Sequence, residues 1–173
     1  MMYLGCAALL TTLVTAAPPS DDIARGLQVG ATLSASSILG AAGRDLTLGY
    51  TFRPTIGYEL STGVAGFVAL SYSRWNTGTG LEWQLAAMAG ARLSLRRGRW
   101  LPWGELALGW GQLVNPQLAT DVGVRSSGAL GVDFLLADTV RAGVRASLER
   151  LDGGQPIHGI FWLDAGFVAT FFF

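Results

Sequence analysis

The amino-acid sequence predicts an all-β protein, an eight-stranded antiparallel up-and-down transmembrane β-barrel with a polar, filled interior. The first observation is that apolar and polar residues alternate with period two through eight segments, most of them 11 to 15 residues long. The second is an apolar composition, since half of the residues are hydrophobic and only 14% are charged. No apolar run reaches the roughly 18 to 20 residues of a membrane-spanning helix, so strands are the predicted elements.

The chain begins with a short apolar segment, residues 4–17, which is followed by a proline pair. Its length is typical of a signal-peptide core and is too short to span a bilayer. We therefore predict a cleaved signal peptide over residues 1–16 and a barrel domain over residues 17–173. Lipid attachment at Cys6, the one cysteine of the chain, is the alternative to this cleavage.

Four strands are predicted in the first half of the mature chain, over residues 26–36, 46–59, 64–75 and 81–95. Pro54 interrupts the second of them. Because proline cannot donate to a strand ladder, we expect a bulge or a local break at this position. The third strand is the least regular, since Phe67 lies on the face opposite to Val68 and Leu70.

Four further strands are predicted over residues 100–113, 122–136, 140–149 and 157–173. The turn Ala137-Asp138 is expected to connect the sixth strand to the seventh. In the last strand, every odd-numbered residue from Phe161 to Phe173 is apolar, whereas the even-numbered face is mixed and carries one charge. Because every connection is short, the strands are expected to pair in order, and closure into a barrel removes the exposed edges.

The glycine content of the polar face bears on which face points outward. Alternation alone allows either a membrane barrel or a soluble lipocalin- or avidin-like barrel with its apolar face inside. A soluble exterior would carry many more lysines and glutamates. The interior of an eight-stranded barrel is just wide enough for side chains, so glycine there makes room for a few long charged ones. The glycines of this face are Gly30, Gly49, Gly57, Gly90, Gly109, Gly131, Gly143 and Gly166.

The charges of the polar face are balanced and can be paired between neighbouring strands. Charges removed from water are costly unless they are paired, so complementary placement indicates a closed, polar interior. If the predicted turns set the register, the pairs are Asp133 with Arg141, Arg125 with Glu149, Arg145 with Asp164, and Arg92 with Glu105.

Aromatic residues cluster near the predicted strand ends. Trp75, Trp83 and Trp110 are expected at one side of the barrel, and Tyr58 and Trp100 at the other. This distribution is typical of the two aromatic girdles that a membrane barrel places at the water interfaces. The three features together favour the membrane barrel over the soluble one.

With this pattern the chain resembles the small eight-stranded outer-membrane barrels, such as the transmembrane domain of OmpA and the OmpX-like proteins. The resemblance covers nearly the whole mature chain and is most specific in the aromatic last strand. It implies residence in a Gram-negative outer membrane, with outer-membrane lipid and lipopolysaccharide as neighbours. It also implies that the barrel-assembly machinery reads Phe173, supported by Phe171 and Phe167.

Catalytic and ligand-binding signals are weak. His158 is the one histidine, and a lipid-modifying enzyme would need it beside Ser147 or Ser127 and Glu149. One histidine and no mature cysteine disfavour a metal site, and we expect no cofactor. A formal net charge of zero and the absence of a phosphate loop predict no nucleic-acid and no nucleotide partner.

The sequence therefore predicts a non-catalytic outer-membrane barrel with a structural or interaction role, whose interior is blocked by a salt-bridge network. A narrow pore, a lipid-modifying outer-membrane enzyme and a soluble ligand-binding barrel stay as alternatives.

Overall fold

The computed structural model describes residues 26–39, 47–61, 63–77, 80–114, 120–153 and 159–173. These residues form eight strands, which we number in chain order. The strands are β1 (Leu27–Leu39), β2 (Thr47–Ser61), β3 (Val64–Thr77), β4 (Gly80–Ser94), β5 (Trp100–Val114), β6 (Thr120–Ala137), β7 (Val140–Gly153) and β8 (Ile160–Phe172). The predicted signal peptide, 1–16, lies outside the described residues. Among the described residues, no helix is long and apolar enough to cross a membrane.

Each strand pairs antiparallel with the next along the chain, and β8 pairs antiparallel with β1 to close the barrel. The predicted fold class is thereby confirmed. Every strand has two hydrogen-bonded neighbours, so the described sheet has no free edge. The end of the barrel that carries Gly26 and Phe173 is called the terminus end below. The opposite end, where β1, β3, β5 and β7 finish, is called the loop end.

The outer face of the barrel is apolar on all eight strands. Leu106 on β5, Leu130 on β6 and Phe167 on β8 each expose more than 70% of their surface. Trp100 and Trp110, also outward on β5, are ten residues apart, which is roughly 34 Å along a strand. At the tilt of about 40° that membrane barrels show, this spacing gives a height of about 25 Å, which is the height of the apolar band of such barrels.

Two places in the ladders bear on the sequence prediction. At Pro54 the local break occurs and the bulge does not: pairing to β3 is interrupted between Phe52–Tyr72 and Thr55–Ala69, and the register is the same on both sides. Pro54 faces outward, where its missing N–H leaves the rest of the strand in register. The β6–β7 turn is formed by residues 138–139, one residue later than predicted, and β6 has an irregularity between Leu135 and Ala137.

Glycines of the inner face lie beside large aromatic rings. Gly131 is paired with Trp103 across β5 and β6, and a β-carbon at Gly131 would meet the Trp103 ring. Phe67 on β3 lies between Gly57 on β2 and Gly90 on β4 in the same way. The predicted role of these glycines was to make room for charged side chains. In the structure they also make room for aromatic rings, a pairing that stabilises glycine positions in sheets.

Candidate functional site

The lumen is the candidate functional site, because the polar chemistry of the described residues is concentrated there. The inward residues of every strand include buried charged or hydroxyl side chains, whereas nearly all outward residues between the strand ends are apolar. The mixed face of β8, with Asp164 and Thr170, points into the lumen, and its phenylalanine face points out. Alternation along each strand places the side chains in this way once the barrel is closed.

Glu105 on β5 is one centre of a buried ion-pair network. Its Oε1 atom accepts from Arg53 Nη2 at 3.0 Å and lies 3.3 Å from Arg145 Nη2. Its Oε2 atom accepts from Arg92 Nη2 at 2.9 Å and from Arg92 Nε at 3.2 Å. One carboxylate therefore contacts three guanidinium groups from β2, β4 and β7.

Glu149 on β7 is the second centre. Arg125 on β6 donates to its Oε2 atom from Nε at 2.8 Å and also from Nη2. Arg53 Nη1 and Arg145 Nη2 both lie 3.7 Å from its Oε1 atom. Arg53 and Arg145 thus contact both glutamates and join the two centres into one network that crosses the lumen.

Toward the terminus end, the network continues through Asp133. Arg92 Nη1 lies 3.7 Å from Asp133 Oδ2, and the Trp103 indole N–H donates to Asp133 Oδ1 at 2.8 Å. A separate pair joins Arg141 on β7 to Glu59 on β2, at 3.5 Å. All five side chains lie on the inner face, so the polar filling reaches this end of the barrel.

Four of the lumenal arginines also stack on aromatic rings. The Cζ-to-centroid distances are 4.0 Å for Arg141 over Phe172, 4.2 Å for Arg92 over Trp103, 4.9 Å for Arg125 over Trp162 and 5.5 Å for Arg53 over Phe67. A guanidinium within about 6 Å of a ring centroid is attracted by the ring face, more strongly when both are desolvated. The rings therefore stabilise buried cations as well as filling space.

The loop end of the lumen is filled by an apolar layer, which a polar interior did not predict. Trp75 and Trp162 meet edge to face with centroids 5.7 Å apart. The Trp75 indole N–H donates to Ser36 Oγ at 2.9 Å. The apolar layer consists of Ile38, Trp75, Leu113, Leu151, Ile160 and Trp162.

The structure brings together two of the four predicted ion pairs. Arg92 lies directly opposite Glu105, and Arg125 meets Glu149 on a diagonal. The other two predicted pairs, Asp133 with Arg141 and Arg145 with Asp164, form no direct ion pair within 4 Å. The register of β6, β7 and β8 is two residues away from the predicted one, so Asp133 faces Gly143 and Arg145 faces Gly166.

Their ion-pair partners are not the residues that this register places opposite them. Arg141 pairs with Glu59 instead of Asp133, and Arg145 pairs with Glu105 and Glu149 instead of Asp164. Asp164 Oδ1 lies 3.2 Å from Thr51 Oγ1, which donates to it over the inner face of β1.

Four of the five predicted interface aromatics lie on the outer face. Tyr58, Trp100 and Trp110 are more than half exposed, and Trp83 is partly exposed. The prediction for Trp75 is wrong, since it is 2% exposed and belongs to the apolar layer. It shares the inner face of β3 with Phe67 and Ser73, because residues two apart on a strand point the same way.

The assembly residues and the catalytic candidates lie on opposite sides of the wall. Phe167, Phe171 and Phe173 are exposed on the outer face. Ser127 and Ser147 are buried in the lumen, where Ser127 Oγ lies 3.5 Å from Arg145 Nη2 and Ser147 Oγ donates to Glu149. His158 lies outside the described residues.

The sequence reasoning missed Arg53 and Glu59 as ion-pair partners. Both lie on the polar face of β2, so the pattern marked them as inward. Their partners are on strands that are not neighbours in the sheet: Arg53 reaches β5 and β7, and Glu59 reaches β7. The register between adjacent strands does not predict contacts that cross the lumen. The sequence could therefore show only that these two residues are charged and point inward.

Comparisons with known proteins bear on the fold. No protein-family model and no curated protein matches the chain. The crystal structure of Neisserial surface protein A is similar at 13% identity, with 86% of this chain and 97% of that chain covered and a TM-score of 0.71. OprG from Pseudomonas aeruginosa is similar at 12% identity over 88% of this chain and 100% of that chain, with a TM-score of 0.56.

A third similar structure is the outer membrane enzyme PagL, at 18% identity over 84% of this chain and 99% of that chain, with a TM-score of 0.54. At such identities the likeness concerns the backbone arrangement. It agrees with the closed eight-stranded antiparallel barrel. The chain therefore has the fold of the small eight-stranded outer-membrane β-barrels.

Proposed function

We propose that this protein is an integral outer-membrane barrel with a structural or interaction role, non-catalytic, and with its lumen blocked by the ion-pair network. The observation that carries the membrane assignment is the outer face. Its leucine, valine and phenylalanine side chains are exposed on every strand, and a contiguous apolar surface of this extent needs a non-aqueous neighbour. A soluble ligand-binding barrel would need the opposite arrangement, with charged residues outside.

The two ends of the barrel differ in the length of their connections. At the terminus end the connections are residues 62–63, 95–99 and 138–139, and at the loop end they are 40–46, 78–79, 115–119 and 154–159. Outer-membrane barrels have short periplasmic turns and longer external loops. We therefore orient the terminus end toward the periplasm and the loop end toward the cell exterior, where lipopolysaccharide is the expected neighbour.

The blocked lumen is supported by the burial of the network. Arg53, Glu105, Arg125, Arg145 and Glu149 each expose 5% or less of their surface, although they are charged. Charges this close, with most of their polar atoms paired, leave little room for water between them. We expect no conduction from the unaltered protein.

A folding test in detergent examines the membrane assignment. The protein is refolded with and without detergent micelles and run on a gel unheated and heated. A heat-modifiable mobility shift that needs detergent is the expected result. Folding to a soluble monomer without detergent would contradict the membrane assignment and would favour a soluble barrel that binds an apolar ligand in its lumen.

Conductance measurements in planar bilayers examine the blocked lumen. The unaltered protein is expected to show no single-channel steps. Single-channel steps whose size changes when Arg145 or Asp164 is neutralised would contradict the blocked lumen and would indicate a narrow pore. Enzymatic activity on lipid that is lost in a His158→Ala variant would contradict the non-catalytic role and would indicate a lipid-modifying enzyme. This alternative is tested because one similar structure is an enzyme.

A further inference from the structure

Gln84, on the inner face of β4, has an amide without hydrogen-bond partners. The residue is fully buried, and neither its Oε1 nor its Nε2 atom has a partner within the described residues. Buried polar atoms in folded proteins are almost always bonded to protein atoms or to ordered water. This side chain therefore requires a partner that the described side chains do not supply.

Trp162 shows the same feature among the buried indoles of the lumen. The Trp75 indole donates to Ser36 and the Trp103 indole donates to Asp133. The Trp162 indole is 1% exposed, and its Nε1–H has no acceptor among the described residues. Two of these three indoles thus donate a hydrogen bond to a side chain, and the N–H of the third, Trp162, has no acceptor among the described residues.

Gln84 and Trp162 line one small cavity at the loop end of the lumen. The rest of its wall is Glu82 and the side chains of the apolar layer. The space is the size of about one water molecule, and a buried water needs two to four polar partners. Gln84 Oε1 and the Trp162 N–H supply two.

We propose that this cavity is an internal water-binding site, in which one water molecule bridges the Gln84 amide and the Trp162 indole. The water accepts the hydrogen bond of the Trp162 N–H and donates to Gln84 Oε1. Water fits because the indole N–H only donates and Gln84 Oε1 only accepts, so a molecule that bridges these two atoms must both accept and donate. An apolar occupant would leave all three polar atoms unmet.

The site lies inside the lumen, so the inference is independent of the proposed membrane role. The proposed water also means that the apolar layer does not exclude water completely. The bridging water is a polar group surrounded by the aromatic and aliphatic side chains of the apolar layer. Failure of the folding test in detergent would leave this proposal standing, and failure of this proposal would leave the membrane assignment standing.

The sign of a stability change tests the site. Gln84→Met keeps the length of the side chain and removes both amide atoms. If water is bound, the variant strands the Trp162 N–H and loses the bridge, so we expect the unfolding equilibrium constant to rise about tenfold. If the cavity is dry, the variant removes two unmet polar atoms, and the constant falls or stays the same. Gln112→Met, on the outer face, measures the effect of the same exchange away from the cavity.

A double-mutant cycle tests the bridge between the two residues. Trp162→Phe removes the indole donor and keeps an aromatic ring. Because one water serves both residues, Gln84→Met and Trp162→Phe are expected to be non-additive, the double variant being little less stable than the worse single variant. Gln84→Met with Trp103→Phe is the control pair, and additive effects are expected there. Additivity in both pairs would overturn the proposal.

A measurement on the unaltered protein covers the case in which a variant does not fold. In micelles, magnetization transfer from water to the indole proton of Trp162 is expected in the NMR spectrum, with the resonance assigned by selective labelling. Transfer to this proton and not to that of Trp103 supports a water bound beside Trp162. Absence of transfer to the Trp162 proton overturns the proposal.

Discussion

Arg125 and Glu149 meet in the centre of the lumen through two guanidinium nitrogens and one carboxylate oxygen. Arg125 Nε lies 2.8 Å from Glu149 Oε2, and Arg125 Nη2 donates to the same atom. The side chains are 0% and 1% exposed. The same guanidinium donates to Ser71 on β3 at 3.0 Å and stacks on Trp162. One arginine therefore connects four strands, and its charge depends on Glu149 for compensation.

The first prediction is that Glu149→Gln destabilises the barrel strongly. The variant leaves Arg125 without its carboxylate and removes one of the two glutamates that Arg53 and Arg145 share. Removing one partner of a buried pair costs about 3–5 kcal/mol, because the remaining charge is uncompensated. Urea titration in detergent, followed by the heat-modifiable band, measures the change in the free energy of unfolding.

The control for this prediction is an ion pair on the outer rim. Arg150 and Asp152 pair at the loop end with side chains nearly half exposed. Breaking such a pair with Asp152→Asn is expected to change the free energy of unfolding by less than about 1 kcal/mol. Equal effects of the two variants would show that the central network contributes no more than a surface pair.

The second prediction concerns the glycines beside aromatic rings. Gly131→Ala would press a methyl group against the Trp103 ring and is expected to destabilise the barrel by about 1–3 kcal/mol, the range for overpacked cores. Gly66→Ala is the matched control, because a β-carbon there meets no atom within 4 Å. We expect Gly66→Ala to be neutral or slightly stabilising in the same titration. An unchanged stability of Gly131→Ala would show that both the Trp103 ring and the Val144 carbonyl oxygen, which also lies at this position, can move aside.

The third prediction examines the lipid-facing surface by depth. Leu106 lies between Trp100 and Trp110 on β5 and is 75% exposed, so it is placed near the middle of the apolar band. Leu106→Arg is expected to lower the stability in bilayers by about 2–4 kcal/mol, the range for arginine at the bilayer midplane. Leu95→Arg, at the terminus end, is expected to cost at most about 1 kcal/mol.

The depth dependence separates a membrane surface from an aqueous one. Leu95 and Leu106 are similarly exposed, so water on the outer face would accept arginine equally well at both positions. Folding titrations into lipid vesicles compare the two variants with the unaltered protein. Equal costs at the two depths would contradict the membrane assignment.

The fourth prediction separates assembly in the cell from stability in the test tube. The Phe173 side chain is 77% exposed, and the link of this residue to β1 is its backbone N–H, which donates to Leu27 O at 2.9 Å. Phe173→Ala keeps this bond, so refolding in detergent is expected to be unchanged. If the barrel-assembly machinery reads the aromatic end, the amount of folded barrel in the outer membrane is expected to fall several-fold.

Leu130→Ala is the control for the assembly experiment, because Leu130 is as exposed as Phe173 but lies on β6. We expect it to reach the membrane like the unaltered protein. An equal loss for both variants would assign the effect to lost apolar surface and not to recognition of Phe173.

The number of strands, their pairing in chain order and the division of each strand into an apolar and a polar face were predictable, because they depend on local properties of the chain. Period-two alternation is set by the pleat, so a strand such as β5 shows its two faces in the order of its residues. The Arg92–Glu105 pair was predictable for the same reason, since the short turn between β4 and β5 fixes which residues meet. Trp75 shows the limit: its girdle position was inferred from its place near a strand end, although its phase on β3 places it inside.

Other contacts depend on closure of the barrel. A shift of two residues in the β6–β7 and β7–β8 registers preserved every face but exchanged the partners of Asp133 and Arg145. Local sequence specifies the faces more strongly than the register, because a shift by two keeps each side chain on its side of the sheet. The position of the β6–β7 turn and the irregularity at Leu135 decide which of the allowed registers occurs.

The sequence by itself determined that the chain alternates, that its apolar face is continuous, and that its charges share the other face. Only the tertiary structure decided that Glu105 and Glu149 each collect three arginines, that Trp75 and Trp162 form an apolar layer, and that Gln84 faces a cavity. The physical reason is distance along the chain. Alternation is a property of adjacent residues, whereas a contact across the lumen exists only after β8 has paired with β1 and brought opposite walls within the length of an arginine side chain.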